Sequence, residues 1–270
     1  MKSLGTVFKQ IYGNGLKEYG FIKVKSKEPY YARLVGDEIV HIITFREEFT
    51  PRQYYKSFVV LFGVATVYRK EIDLDEKVKY NSECLNEISC LIENNDCFRF
   101  YYEENNETDM SNKVEETFVL TKNYILPFLN KITSLEACVD YYFKYKPSLL
   151  RIFADARYVQ KWIGGKCNEG LLCPLVYGKE GIDKYVDAKR MEFEKYDKVE
   201  LDLINNNKSG LSMEEHTNKK TERQESMNEQ IRTFELFVND EEWEKMIQNE
   251  LKDRKEHNEQ NLIKYGIILK

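Results

Sequence analysis

The apolar positions of the first twenty residues recur at helical spacing. Leu4, Val7, Phe8, Ile11, Tyr12 and Leu16 fall on one face of a helix that Gly20 ends. Gly13 and Gly15 lie inside that helix, each costing about 1 kcal/mol relative to Ala, so it needs a sheet beneath it. The period then changes to two. Phe21 to Lys25 alternates, and Tyr30 to Val35 and Glu38 to Phe45 flank Gly36-Asp37. A two-residue loop that opens with Gly suits a type II′ hairpin. That register sets Leu34 opposite Ile39, Ala32 opposite His41 and Tyr30 opposite Ile43. Phe58 to Tyr68 is apolar on both faces, as expected of a central strand covered on both sides.

Residues 72–83 read as an acidic connecting loop. Asn81 or Ser82 then caps a short helix bearing Cys84, Leu85, Ile88, Leu91 and Ile92. Cys97 to Tyr102 alternates as a further strand, and Glu103 to Met110 reads as a loop. From there the spacing is helical. Asn112-Lys113-Val114-Glu115 has capping-box form and opens a helix to about Lys131, kinked or shortened at Pro127. Thr133-Ser134-Leu135-Glu136 opens another, to Tyr145. Further helices are expected over Leu149 to Ile163, Gly181 to Leu203, Met227 to Asn239 and from Glu241 through Trp243 and Leu251. The tail from Leu262 to Leu269 is apolar again.

The pattern predicts an α+β fold: an N-terminal helix on an antiparallel sheet of about five strands, followed by an α-helical C-terminal region. The expected organisation is an α+β domain over 1–132, a helical region over 133–204, a flexible linker over 205–222 and C-terminal helices over 223–270. The linker assignment rests on Asn205-Asn206-Asn207-Lys208-Ser209-Gly210 and the scarcity of apolar residues after it.

Charge divides this picture. The net value is only -5, which disfavours a nucleic-acid binder held by phosphate contacts. Residues 1–70 carry 12 basic and 6 acidic side chains, whereas residues 71–134 carry 6 basic and 14 acidic ones. Opposed blocks of this kind either face each other in the fold or form a docking surface. No run approaches the roughly 18 apolar residues that span a bilayer, and Met1-Lys2-Ser3 leads straight into an amphipathic segment. The six cysteines form no C-x-x-C, and none lies at ligand spacing from a histidine. Free thiols in a reducing cytoplasm are the expectation, with no metal and no cofactor.

Familiar catalytic motifs fail residue by residue. Gly165-Lys166 is followed by Cys167, and Gln160 stands where a P-loop needs its first glycine. There is no G-x-G-x-x-G after a strand, no G-x-S-x-G and no H-E-x-x-H. Three histidines leave few imidazole chemistries. His41 lies in the strand-rich front, where it reads first as a core-lining histidine and second as an acid–base group. Asp73-Leu74-Asp75 reads first as a solvated acidic loop. An enzyme would have to assemble a dispersed site from Arg33, His41, Asp73 and Asp75. Large aromatics suit interfaces better. Tyr54-Tyr55, bracketed by Arg52 and Lys56, and Trp162 are the candidates. Arg33, His41, Arg52, Tyr54, Tyr55 and Trp162 are therefore the candidate binding residues.

The front half also resembles an uncharacterised bacterial family known only as domain of unknown function 4304. The resemblance rests on the amphipathic first helix, Tyr19-Gly20-Phe21-Ile22-Lys23, Tyr31-Ala32-Arg33 before Gly36-Asp37, and Ile39-Val40-His41-Ile42. Phe58 to Tyr68 and Ile125-Leu126-Pro127-Phe128-Leu129 fit as well, so about residues 1–145 are covered. The resemblance implies an α+β domain and carries no established activity, so no functional residue transfers. The functional expectation is a cytoplasmic protein-interaction or regulatory, immunity-type binding module whose partner is another protein. Neither a membrane nor a nucleic acid is expected as partner. Homo-oligomers through the C-terminal helices, with Phe234, Phe237 and Trp243, are a further expectation.

Overall fold

The computed structural model of the chain describes residues 2–27, 29–50, 54–75, 85–92, 99–145, 172–178, 181–206, 210, 212–239 and 241–268. The chain divides into two compact units, Met1–Cys138 with Arg254–Lys270, and Val139–Asp253. The first unit takes its last 17 residues from beyond the second (254 to 270), so the expected boundaries at 132 and 223 are not where the chain divides.

The first unit is the α+β part. Helix α1 (Leu4–Gly15) begins at Ser3, whose hydroxyl accepts from the Thr6 amide, and it buries Leu4, Val7, Phe8 and Tyr12. A 3₁₀ turn follows, and Gly20 at φ +78° ends it. Among the described residues the sheet has six strands: β1 (Ile22–Lys23), β2 (Tyr31–Val35), β3 (Ile39–Glu48), β4 (Tyr55–Thr66), β5 (Leu85–Glu87) and β6 (Phe100–Glu103). All pair antiparallel in the order β1-β2-β3-β4-β5. Strand β6 joins β4 along Tyr55 to Phe58, leaving Leu61 to Gly63 for β5.

Two local expectations are corrected. The β2–β3 loop has three residues, because Val35 pairs with Ile39, and Arg33 stands opposite His41. Gly36 adopts φ +58° there, a conformation open to Gly at little cost. The one-residue difference from the expected register moves His41 to the face that carries Arg33. The expected helix from Cys84 to Ile92 is instead β5 and a 3₁₀ turn, Ile88–Leu91. Strand β4 pairs there with Leu85–Glu87, and backbone pairing overrides the helical spacing of the five apolar residues.

Alternation assigns the sheet two covered faces. Tyr31, His41, Ile43, Phe45, Phe58 and Phe62 lie on one. Phe8 of α1 packs on Phe45 with ring centroids 4.1 Å apart, and Phe62 meets Phe128 at 5.5 Å. On the other face, Ala32, Val40, Ile42, Val59, Leu61 and Ala65 form a core with Ile72, Leu74, Leu262 and Tyr265.

Helix α2 (Glu107–Leu120) starts five residues before Asn112, inside the expected loop. Asn106 caps it, its side chain accepting from the Asp109 amide. A π-helical turn, Thr121–Ile125, joins it to α3 (Leu126–Leu129). The turn precedes Pro127, which has no amide hydrogen for a regular helix. Helix α4 (Leu135–Tyr145) crosses the boundary between the units.

The second unit is helical among its described residues: α5 (Leu172–Tyr177), α6 (Gly181–Asn205) and α7 (Met213–Asn239), then the first part of α8 (Glu241–Lys264). The expected linker at 205–222 is corrected over its second half, where 213–222 belongs to α7. Ser212 and Glu215 cap that helix reciprocally. The Ser212 hydroxyl accepts from the Glu215 amide at 3.1 Å, and the Glu215 carboxylate accepts from the Ser212 amide at 2.7 Å. His216 is therefore a buried residue of a helix. Its Nε2 lies 3.2 Å from Asp197 of α6, which also pairs with Lys220, while Glu200 pairs with Arg223. Among the described residues, no helix is long and apolar enough to cross a membrane.

Candidate functional site

The corrected register brings two of the candidate residues into contact. Arg33 on β2 donates from Nε and Nη2 to Nδ1 of His41 on β3, at 3.2 and 3.1 Å. A guanidinium has only donors, so Nδ1 must accept and the imidazole proton sits on Nε2. Nε2 donates to the Ile132 carbonyl at 2.8 Å. Arg33 also donates to the Tyr19 carbonyl at 2.8 Å and to Asn130 Oδ1 at 2.5 Å, and its guanidinium carbon stands 4.7 Å from the centre of the Phe21 ring. His41 is fully buried. Burial first, and the adjacent guanidinium second, push its pKa down to about 4, partly offset by the bond to Ile132. Both groups are committed to joining the hairpin to the segment after α3. The imidazole is neutral near pH 7 and has both nitrogens occupied.

Asp73 and Asp75 lie with the opposite face of the sheet, after β4. Asp73 Oδ1 accepts from the Asp75 amide at 2.9 Å and from the Tyr265 hydroxyl at 3.2 Å. That hydroxyl accepts in turn from the Leu74 amide, and Lys264 pairs with Asp75 at 2.7 Å. These carboxylates thus anchor the loop to the end of α8. The adjoining cleft, lined by Tyr30, Ile42, Arg69, Asp73 and Leu85 among others, has room for about one water molecule. The four residues of the dispersed-site alternative do not converge, because the sheet separates the Arg33–His41 pair from Asp73 and Asp75. Among the described residues, no three His, Cys, Asp or Glu side chains are grouped to hold a metal ion.

The end of the β3–β4 hairpin differs from both places. Tyr54 is 70% exposed and Tyr55 42%, and Phe49 on the opposite arm is 84% exposed. Tyr54 has φ +69°, a left-handed conformation that costs a bulky L-residue roughly 1–2 kcal/mol. Its carbonyl accepts from the Glu104 amide at 2.7 Å, which fixes the turn against the end of β6. Lys56 pairs with Glu104 at 3.0 Å, and Arg46 pairs with Glu48 and Glu87. Tyr102 lies under this end, and burial together with Glu47 and Glu104 pushes its pKa up to about 12. The described part of the hairpin end offers exposed aromatic side chains on two paired arms.

Phe49 was not a candidate from the sequence. It continues the Phe45-Glu47-Phe49 alternation, so its spacing assigns it to the covered face of β3. Pro51 two residues later was the one available signal that the strand ends near it. Arg52 and Trp162 lie outside the described residues. The adjacent aromatics Tyr141 and Tyr142 of α4 are buried. Compared with family models, curated proteins and solved structures, the chain matches none.

Proposed function

We propose that this protein is a non-catalytic interaction module that docks another protein through the end of its β3–β4 hairpin. One observation carries the reading: Phe49, Tyr54 and Tyr55, at the end of one hairpin, are each exposed, and Tyr54 is held in a left-handed backbone conformation. Strain at an exposed position that Gly or Asn would relieve marks a side chain retained for what it contacts. Aromatic residues supply much of the binding energy at protein interfaces. A regulatory or immunity-type role in a bacterial cytoplasm is the setting this reading takes. Membership of domain of unknown function 4304 is part of the same proposal, supported by the order of first helix, hairpin and long central strand.

A photo-crosslinking phenylalanine analogue at position 54, introduced in the native cell, tests it. The expected result is one dominant covalent adduct with another protein, absent when the probe sits at the exposed Glu115 on α2. The same adducts from both positions would sink the reading.

A further inference from the structure

Helix α6 carries an exposed apolar stripe beside the face that meets α7. Residues 193–206 are all described, so the stretch can be followed position by position at about 100° per residue. One side faces α7: Asp197 and Glu200 pair with Lys220 and Arg223, and Lys220 lies 6.0 Å from the centre of the Phe193 ring. About a quarter turn round the helix come Tyr196, Val199 and Leu203. They are 51%, 50% and 42% exposed, and their spacing of three then four is that of a helix–helix seam. The far flank of the stripe carries Lys195 and Asp202. Seven residues separate them, so they occupy equivalent places two turns apart. Both are exposed, and neither side chain makes an ion pair among the described residues.

We propose that this stripe pairs with the same stripe of a second copy of the chain, the two α6 helices running antiparallel. In an antiparallel two-fold pair each flank meets the same flank of its neighbour. Lys195 of each copy then lies beside Asp202 of the other, and the attraction occurs twice. Opposite signs at equivalent positions make the surface complementary to itself, whereas a flank of one sign would repel its copy. A parallel partner would bring that flank against the α7 side instead, where Glu200 is already held by Arg223. Tyr196, Val199 and Leu203 supply the apolar contact, and the charged pairs fix direction and register. Three apolar side chains from each copy make a small interface, of the kind that associates weakly and reversibly. This surface belongs to the second unit and is independent of the hairpin end. It also differs from the expected oligomer surface around Phe234, Phe237 and Trp243, whose side chains lie outside the described residues.

Sedimentation equilibrium of the full chain over a range of concentrations tests the proposal. The apparent mass should rise from 32.2 kDa towards twice that value as concentration increases. Val199→Glu sets a carboxylate in the middle of the stripe and should weaken the dimer about tenfold or more. Lys195→Glu alone and Asp202→Lys alone each bring like charges together twice and should weaken it severalfold. The double variant K195E/D202K reverses both signs and should regain the native affinity to within about twofold. An equimolar mixture of the two single variants should form mixed dimers, since each supplies the charge the other lacks. All four substitutions are at exposed positions, and circular dichroism verifies that each variant keeps the native helix content. A chain that is monomeric at every concentration would assign the stripe to another occupant and overturn the proposal. A dimer that Val199→Glu leaves intact, or a double variant no tighter than the single ones, would overturn it as well.

Discussion

Arg33 and His41 face each other across the β2–β3 pair, and the arginine sets which imidazole nitrogen carries the proton. A second proton on His41 would have to enter at Nδ1, against a guanidinium and away from water. The folded protein holds the pKa of His41 at about 4, whereas an unfolded histidine titrates near ~6.5. Between those values the unfolded chain binds the extra proton and the folded one does not. Stability from this site is therefore complete above about pH 6.5, falls as the pH drops and levels off below about 4. The span of 2.5 units corresponds to about 3 kcal/mol. Urea unfolding at a series of pH values should show this slope in the native chain and a flatter one in His41→Phe. Equal slopes would show that His41 is not the group responsible.

Asn258 should be among the costliest single positions in α8. It is fully buried; its Oδ1 accepts from the Ile72 amide at 2.7 Å, and its Nδ2 donates to the carbonyls of Val67 and Arg69 at 2.9 and 2.6 Å. Asn258→Ala leaves these backbone groups without a partner, each lost bond costing ~1–3 kcal/mol. A loss of about 3 kcal/mol is expected, with faster hydrogen exchange at the Ile72 amide. Asn258→Asp should be at least as damaging, because it sets a carboxylate against two carbonyls. An unchanged Ile72 exchange rate in Asn258→Ala would contradict this assignment.

The two glycines near the end of α1 should respond to Ala with opposite signs. A Cβ at Gly13 would make ordinary contact with Tyr31 at 3.8 Å, so Gly13→Ala should stabilise the helix by about 0.5–1 kcal/mol. A Cβ at Gly15 would fall 2.1 Å from the Phe118 ring, which packs edge-on to Tyr12 at 5.0 Å. Gly15→Ala should therefore destabilise, and Phe118→Leu should recover part of that loss. Additive effects in the double-mutant cycle would exclude the steric explanation.

At Tyr54 stability and function should part company. Tyr54→Gly relieves the left-handed backbone conformation and should raise stability by about 1 kcal/mol. The same change should abolish the covalent adduct formed by a cross-linking probe at position 55. A variant both less stable and fully able to bind would argue that Tyr54 serves the turn.

What could be read from the sequence follows what burial does to pattern. The face of α1 was legible because Leu4, Val7, Phe8 and Tyr12 face the core while Lys9 and Gln10 do not. Strand β4 was legible as central because both its faces are apolar. That same two-sided burial hid the hairpin register. When Leu34, Ala32, Ile39 and Ile43 are all acceptable inside, alternation cannot say which residue faces which. Strand β5 was hidden because three residues are too few to show a period. The contact partners of Arg33 and His41 were illegible because Asn130 meets Arg33, and Ile132 meets His41, only through the tertiary fold. Tyr54 and Tyr55 were visible because they interrupt a strand pattern between charged residues, whereas Phe49 kept the pattern and was hidden by it.

The division of the first unit along the chain also sets an order of events during synthesis. Ala32, Ile42 and Leu61 emerge early, but Leu262 and Tyr265, which pack against the same core, are made last. At roughly 5–20 residues per second, the 193 residues between Ile72 and Tyr265 take on the order of 10–40 s. During that interval one apolar face of the sheet lacks part of its cover, long enough to be engaged by other nascent chains or by a holding chaperone. A ribosome that stalls within 139–253 would release a sheet already paired but still adhesive on one side.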